Sequence, residues 1–260
     1  MTTPELLALV AAGCTAGAIN AVAGGGTLLT FPVLLMCGTP PVLANATSTV
    51  GLVIGTAGSI VGFRGQLKAI RGLFWQFVPV CLVGAAIGSW LLTKTNDDQF
   101  SKLVPFLVLF ATVLFCLQNV LRKYSRNHAA ESVSKAAWFS LALQLPVAIY
   151  GAFFGAGMGI LMLASFGFMG MTNIHEMNAM KNLLGSLINV IAATWFIAAG
   201  MVSWPQALAL TSGALVGYYL GAHFSQRIAP QRVRHLITFI GLTISAIMFW
   251  RQFGPMNAGG

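Results

Sequence analysis

A polar stripe inside an apolar stretch is the feature of this sequence best suited to chemistry. Lys181 is the one Lys or Arg well inside such a stretch, and Asn182, Ser186 and Asn189 follow it at spacings that allow one polar helical face. A charged group in apolar surroundings costs free energy, and such residues usually face a cavity or a partner. The stripe therefore predicts a binding site, unless the helix starts later and Lys181 reaches the surface from its end.

A second group of polar residues follows a run of three glycines, residues 24–26. Asn45, Thr47, Ser48 and Thr49 form a donor-rich turn at the place in the first half of the chain that matches Lys181 in the second. A helix N-terminus offers free N–H groups and the positive end of the helix dipole, so a glycine-rich break with hydroxyl and amide donors suits an anion. Each hydroxyl taken alone is better explained by helix capping or packing, and the prediction depends on their convergence near the breaks.

The composition indicates that these residues belong to a membrane protein. Of 260 residues, 57% are hydrophobic and only 7% are charged, against about 25% charged in a typical soluble domain. A membrane helix needs about 20 predominantly apolar residues. Stretches without Asp, Glu, Lys or Arg cover residues 6–63, 72–93, 103–121, 136–175 and 182–226. Because these stretches are apolar on all sides, they exclude a soluble globular protein and favour membrane helices.

The formal net charge of +9 results from 14 Lys and Arg against 5 Asp and Glu. Basic residues are retained in cytoplasmic loops, so this excess is expected of a multi-pass protein of the cell (inner) membrane and does not indicate nucleic-acid binding. The cysteines have neither CxxC spacing nor clustered histidines beside them, so no metal site or cofactor is expected. No acid pair, HExxH or Ser-His arrangement lies in the apolar stretches, so the chain is not predicted to be an enzyme.

The chain contains two similar halves. Aligned with itself at an offset of 133 without a gap, it places the glycine run 23–26 on 156–159 and the Asn-Ala pair 45–46 on 178–179, together with a GxxxG pair in each half. A single offset that matches all of these features is hard to obtain by chance. The predicted organisation is a first transmembrane repeat, a basic cytoplasmic linker and a second transmembrane repeat at residues 1–121, 122–135 and 136–256.

Each half divides into five apolar segments, of which the second is short. Segment 27–37 reaches only about half of the hydrocarbon core at about 1.5 Å per residue. A short segment after a glycine run indicates either half-helices that meet inside the membrane or one kinked helix. The predicted fold is an all-α polytopic membrane protein with about 8 to 10 helical segments. The segments are 6–23, 27–37, 42–63, 72–93 and 101–121, then 138–154, 160–171, 174–199, 204–226 and 233–250.

The distribution of basic loops predicts that the two repeats are inverted. Arg64, Lys68 and Arg71 follow the third segment of the first half, whereas the corresponding loop 200–204 has no charge, and three arginines in 227–234 follow the fourth segment of the second half. Because Lys and Arg mark the cytoplasmic side, these loops and the linker are placed inside and the C-terminus outside. This path requires that the first three segments of each half together cross the membrane an odd number of times. One kinked helix would instead give four spans per half and parallel repeats.

Two glycine motifs and the segments after them carry a resemblance to a known family. They are NAVAGGGT at residues 20–27, Phe31-Pro32, GTPPVLANATS at 38–48, GAFFGAGMG at 151–159, and NAMKN at 178–182 with Asn189 beyond it. Over almost the whole chain the sequence resembles the sulfite exporter TauE/SafE family. It departs from the fuller pattern at Met158, and Ser165 stands where Pro32 does.

The resemblance implies a transporter of a small sulfur-containing anion such as sulfite, thiosulfate or an organosulfonate. The hypothesis is a secondary transporter that works by alternating access, with an anion channel or a transporter of another small anion as the alternative. Its partners would be the lipid bilayer, the anion and protons as coupling ion, and a homodimer is left open. The residues that match the family motifs, and so become candidates for the substrate path, are Asn20, Gly24, Gly25, Gly26, Asn45, Thr47, Ser48, Gly155, Gly157, Gly159, Lys181 and Asn189.

Overall fold

The computed structural model describes residues 1–22, 25–62, 67–127, 133–224 and 230–253, and within these ranges it contains helices and no strand. This confirms the prediction of an all-α chain. The helices coincide with the ten apolar segments to within about two turns. They are α1 (Thr3–Val22), α2 (Thr27–Met36), α3 (Pro41–Gly62), α4 (Leu67–Lys94), α5 (Asp97–Asn127), α6 (Val133–Phe153), α7 (Met158–Phe168), α8 (Ile174–Ala198), α9 (Trp204–Phe224) and α10 (Pro230–Phe253).

Two of these helices are long and apolar enough to cross a bilayer, judged on the described residues alone. They are Ile70–Lys94 of α4 and His175–Ala198 of α8, while α2, α3, α6, α7 and α10 contain shorter apolar stretches. Large hydrophobic side chains, including Trp75, Phe106 and Tyr219, are exposed. Exposed apolar side chains of this size are expected where the outer faces of a bundle meet lipid rather than water.

Glycines interrupt the helices at two places. The first break lies between α1 and α2 and contains Gly25 and Gly26, and the second break, residues 154–157, lies between α6 and α7. Gly25, Gly155 and Gly157 have φ angles of 97°, 84° and 78°, a left-handed conformation that glycine adopts without steric cost. The helices after the breaks have 10 and 11 residues, so each spans about half of a hydrocarbon core.

Helices of the first five pack on helices of the second five in a reciprocal pattern. α1 packs on α9 and α6 on α4; α3 packs on α9 and α8 on α4; α5 packs on α7 and α10 on α2. The pairs α3 with α8 and α5 with α10 complete the arrangement. Each of these pairings therefore recurs with the two sets of five exchanged, whereas the weaker pair α1 with α10 has no counterpart of similar extent.

The two most extensive helix pairs, α1 with α9 and α4 with α6, pack through glycine. A Cβ atom added at Gly213 of α9 would overlap the backbone carbonyl of Val10, and one added at Gly88 of α4 would overlap that of Ile149. Helices in lipid gain little from the hydrophobic effect, so small residues stabilise them by letting two backbones approach closely. These contacts hold α9 against α1, and that position matters for the first break.

We expect Gly213→Ala to destabilise the bundle, because the added methyl group has no room beside Val10. Overpacking of this kind costs about 1–3 kcal/mol, which would lower the midpoint of thermal unfolding in detergent. Gly72→Ala is the matched control, since Gly72 lies within α4 and a Cβ atom there meets nothing within 4 Å. A midpoint for Gly213→Ala at or above that of Gly72→Ala would contradict this description of the interface.

Candidate functional site

The first break is closed by the last turn of α1. Asn20 Oδ1 accepts the backbone N–H of Gly26 over 2.7 Å. A Cβ atom at Gly26 would lie 2.7 Å from the carbonyl oxygen of Ala16 and 2.9 Å from Asn20 Nδ2, so a side chain at this position would push α1 away. Asn20 thereby satisfies one of the N–H groups that the start of a helix leaves without an internal partner.

Two hydroxyl groups connect the first break to α3. The Thr30 hydroxyl donates to the carbonyl oxygen of Gly26 over 3.3 Å and lies 2.6 Å from Ser48 Oγ. Thr30 and Ser48 are both fully buried. The sequence predicted that Ser48 belongs to the site. In the structure Ser48 contacts the break indirectly, because its hydroxyl pairs with Thr30, which in turn bonds Gly26.

The second break is held by side chains from α3 and α6. Asn45 Nδ2 donates to the carbonyl oxygen of Phe153 over 2.8 Å, and the Tyr150 hydroxyl donates to that of Ala156 over 2.6 Å. Asn45 is fully buried, and its Oδ1 atom accepts no hydrogen bond from any residue that the structure describes. Asn45 therefore follows the first glycine run in sequence but contacts the second break in space.

Lys181 lies beside the start of α7, next to the second break. A Cβ atom at Gly159, in the first turn of α7, would lie 3.0 Å from Lys181 Cδ and 3.8 Å from Cε. The preceding cap, Gly157, supplies no side-chain hydrogen bond to α7. Within the described part of the chain, Lys181 forms neither a hydrogen bond nor an ion pair, and it is partly buried. Lys181, which has no counter-charge among the described residues, thus lies beside the N-terminus of α7, the positive end of that helix dipole.

Three of the four carboxylates that the structure describes accept hydrogen bonds at helix starts, and the fourth, Asp98, is exposed in the first turn of α5. Glu5, Asp97 and Glu176 each accept an N–H group close to the start of a helix, at 2.8 to 2.9 Å. A carboxylate beside Lys181 would compete with an external anion for its charge. None of these four carboxylates forms an ion pair with Lys181.

At the offset of 133 the two breaks match in position and differ in chemistry. Gly26 corresponds to Gly159, and Ser48 corresponds to Lys181. In the first half the neutral Ser48 contacts the short helix through Thr30, whereas in the second half the charged Lys181 lies directly over Gly159. The two halves therefore offer unequal environments to an anion.

The remaining predicted residues lie at various distances from the breaks. Thr47 is fully buried, and its hydroxyl accepts the N–H of Ser203, the residue before α9, over 3.0 Å. Asn189 is partly buried on α8, about two turns beyond Lys181. Gly24 lies outside the described residues.

Two departures from the glycine and proline pattern of the first half have structural explanations. Met158 fills the space between α6 and α8, since a Cβ atom at Gly151 would overlap its Sδ atom and one at Gly185 would lie 3.5 Å from its Cε atom. Ser165 exchanges hydrogen bonds with Ser140, whose hydroxyl donates to the Ser165 carbonyl over 3.0 Å while the Ser165 hydroxyl donates back over 3.3 Å. Both residues strengthen the contacts of α7 with its neighbours.

Sequence reasoning missed Thr30 and Tyr150, which bond backbone carbonyls at the breaks. Thr30 lies four residues after Gly26, and Tyr150 lies six residues before Ala156. A hydroxyl within two turns of a glycine break was the available signal. Among the described residues there is no group of three or more His, Cys, Asp or Glu side chains that could hold a metal ion.

Comparison with known proteins identifies the family. A family model described as sulfite exporter TauE/SafE matches residues 9–248. A probable membrane transporter protein of Haemophilus influenzae is 27% identical, with 95% of this chain and 96% of that protein covered.

Further relatives carry the same description. The probable membrane transporter protein YfcA of Escherichia coli K12 is 27% identical over 95% of this chain and 90% of its own length. The probable membrane transporter protein YunE of Bacillus subtilis is 22% identical over 93% and 96%. No solved structure gives a significant match. These descriptions are those of integral membrane transporters and not of enzymes, and the chain belongs to the sulfite exporter TauE/SafE family.

Proposed function

We propose that this protein is a secondary transporter of the cell (inner) membrane that moves a small sulfur-containing anion, such as sulfite, thiosulfate or an organosulfonate. The family description supports the choice of anion. Saturable flux, stimulated by the same anion on the opposite side, is expected of a carrier. Flux without saturation would favour the alternative, an anion channel.

The observation that carries this proposal is the position of Lys181. Its ammonium group has no partner among the described residues, and its methylene chain lies against Gly159 in the first turn of α7. A helix N-terminus attracts anions through its N–H groups and dipole, and a nearby cation adds to the attraction. The bound anion would supply the missing charge, and Lys181 would also be the group that titrates if transport is coupled to protons.

Alternating access between two inverted repeats is the mechanism that we propose. Reciprocal packing of α1 to α5 on α6 to α10 is consistent with two related halves, and the basic loops favour opposite orientations. Binding sites of such transporters lie where discontinuous helices of the two repeats meet. Here Asn45 of α3 contacts the end of α6, so a side chain of the first half reaches the break of the second. Tilting one half against the other would alter this contact.

Replacing Lys181 by Met should abolish uptake of labelled sulfite into proteoliposomes, because the hydrophobic isostere keeps the contact with Gly159 and removes the charge. Lys94→Met is the matched control, since Lys94 is exposed at the end of α4, and its uptake should stay within about twofold of wild type. Both variants should elute as the wild-type protein does in size-exclusion chromatography. Uptake by Lys181→Met at the wild-type rate would refute the role of this residue.

Asn20→Ala should impair transport in addition to stability. Loss of a side-chain acceptor for a backbone N–H at a helix start costs about 0.5–2 kcal/mol. Asn96→Ala is a matched control, because Asn96 Oδ1 accepts the N–H of Gln99 over 2.8 Å at an exposed position before α5. Both variants should unfold at lower temperature, but only Asn20→Ala should lose uptake. Equal uptake by the two variants would show that Asn20 has a capping role alone.

The inverted arrangement predicts that the C-terminus and residues 96–99, at the start of α5, lie outside. A C-terminal alkaline phosphatase fusion, which is active only outside the cytoplasm, should therefore be active. A green fluorescent protein fusion at the same point should be dark after export. A fluorescent fusion would contradict the inverted path and favour parallel repeats with kinked helices.

A further inference from the structure

Tyr218 of α9 is brought to the first break by the packing of α9 on α1. A Cβ atom added at Gly17 of α1 would lie 3.0 Å from the backbone nitrogen of Tyr218. Gly17 lies three residues before Asn20, about one helical turn. The close approach of the two backbones thus fixes Tyr218 near the level at which α1 ends.

The ring of Tyr218 is inserted against Gly55 of α3. A Cβ atom at Gly55 would overlap the Cε2 and Cδ2 atoms of the ring. Only glycine at position 55 leaves room for the ring in this orientation. The direction of the side chain is therefore determined by three helices, α1, α3 and α9.

The Tyr218 hydroxyl is buried and forms no hydrogen bond with any described residue. The Asn20 side chain, which accepts the N–H of Gly26, is its polar neighbour. Buried hydroxyl groups nearly always have a hydrogen-bond partner. Tyr150 at the second break follows that rule, since its hydroxyl donates to the carbonyl oxygen of Ala156. The two tyrosines therefore differ: Tyr150 stabilises a break, and Tyr218 has a donor left over.

We propose that Tyr218 is a substrate-binding and specificity-determining residue, whose hydroxyl donates a hydrogen bond to an oxygen atom of the transported anion when the first break opens to one side. This inference rests on the proposed transport function. Lys181 would supply charge at the second break, and Tyr218 a neutral donor at the first. A neutral O–H donor can bind an oxygen atom of sulfite or a sulfonate without adding a second positive charge to the site.

Tyr218→Phe tests the proposal, because it removes the hydroxyl and keeps the ring against Gly55. Tyr219→Phe is the control: it makes the same chemical change one residue away, at a side chain that is 73% exposed. The full-length protein is reconstituted in proteoliposomes, and uptake of labelled sulfite is measured over a range of concentrations, with thiosulfate, taurine and chloride as competitors. Thermal unfolding of each variant in detergent is recorded with and without sulfite.

Loss of one hydrogen bond to a charged ligand should raise KM for sulfite about tenfold or more. The maximal rate should stay within about twofold, the stabilisation by sulfite should shrink, and the order in which the other anions compete with sulfite should change. Tyr219→Phe should match wild type in all of these measurements. If Tyr218→Phe keeps the wild-type KM and anion preference, the proposal is overturned.

A lower maximal rate with unchanged KM would also overturn the proposal, because it would assign Tyr218 a purely structural role. If Tyr218→Phe fails to fold, sulfite-dependent stabilisation of Tyr218→His, whose smaller ring retains a donor N–H, decides the matter: stabilisation supports the proposal and its absence overturns it. If the wild-type protein takes up none of the sulfur anions, the transport function itself is refuted, and that result is distinct from a failure of Tyr218 alone.

Discussion

The need to satisfy backbone polar groups where two helices are interrupted is the constraint on which the rest of this structure depends. Inside an apolar bundle no water is available to bond a free N–H or C=O group. Asn20 accepts an N–H at the first break, and Asn45 and Tyr150 donate to carbonyl groups at the second. Because these side chains come from α1, α3 and α6, the breaks can exist only if those helices are packed as they are.

Glycine makes the packing around the breaks possible, and it does so in two different ways. At Gly25, Gly155 and Gly157 it permits a left-handed backbone that ends one helix before the next begins. Elsewhere, as at Gly88 and Gly213, the backbone is helical and glycine instead allows two helices to touch. A single residue type thus supplies both the interruption and the close contacts that surround it, which explains why it is abundant in a chain with few charges.

The chemical inequality of the two breaks bears most directly on function. Hydroxyl groups of Ser48 and Thr30 bond one another at the first break, so they are already used within the protein. At the second break Lys181 has no partner among the described residues. An anion bound near the two breaks would therefore meet most of the positive charge at the second break. In the alternating-access mechanism that we propose, such an imbalance would let one half hold the ligand while the other half moves, although the packing of the helices is reciprocal.

The sequence by itself determined the all-helical chain and the positions of its segments, and it predicted a binding role for Lys181. Charge-free runs, glycine breaks and a lone cation are local features, and local composition decides whether a segment can form a helix in an apolar medium. It also predicted that polar side chains would gather near the breaks. The span count and the inverted orientation stay predictions.

Only the tertiary structure decided which side chain meets which break. Asn45 bonds Phe153, 108 residues away in sequence, and the Tyr218 ring lies against Gly55. Neither contact could be predicted from spacing, because each depends on how far one helix can approach another. That distance is set by which glycines face each other across the interface, and the chain must fold before those faces meet.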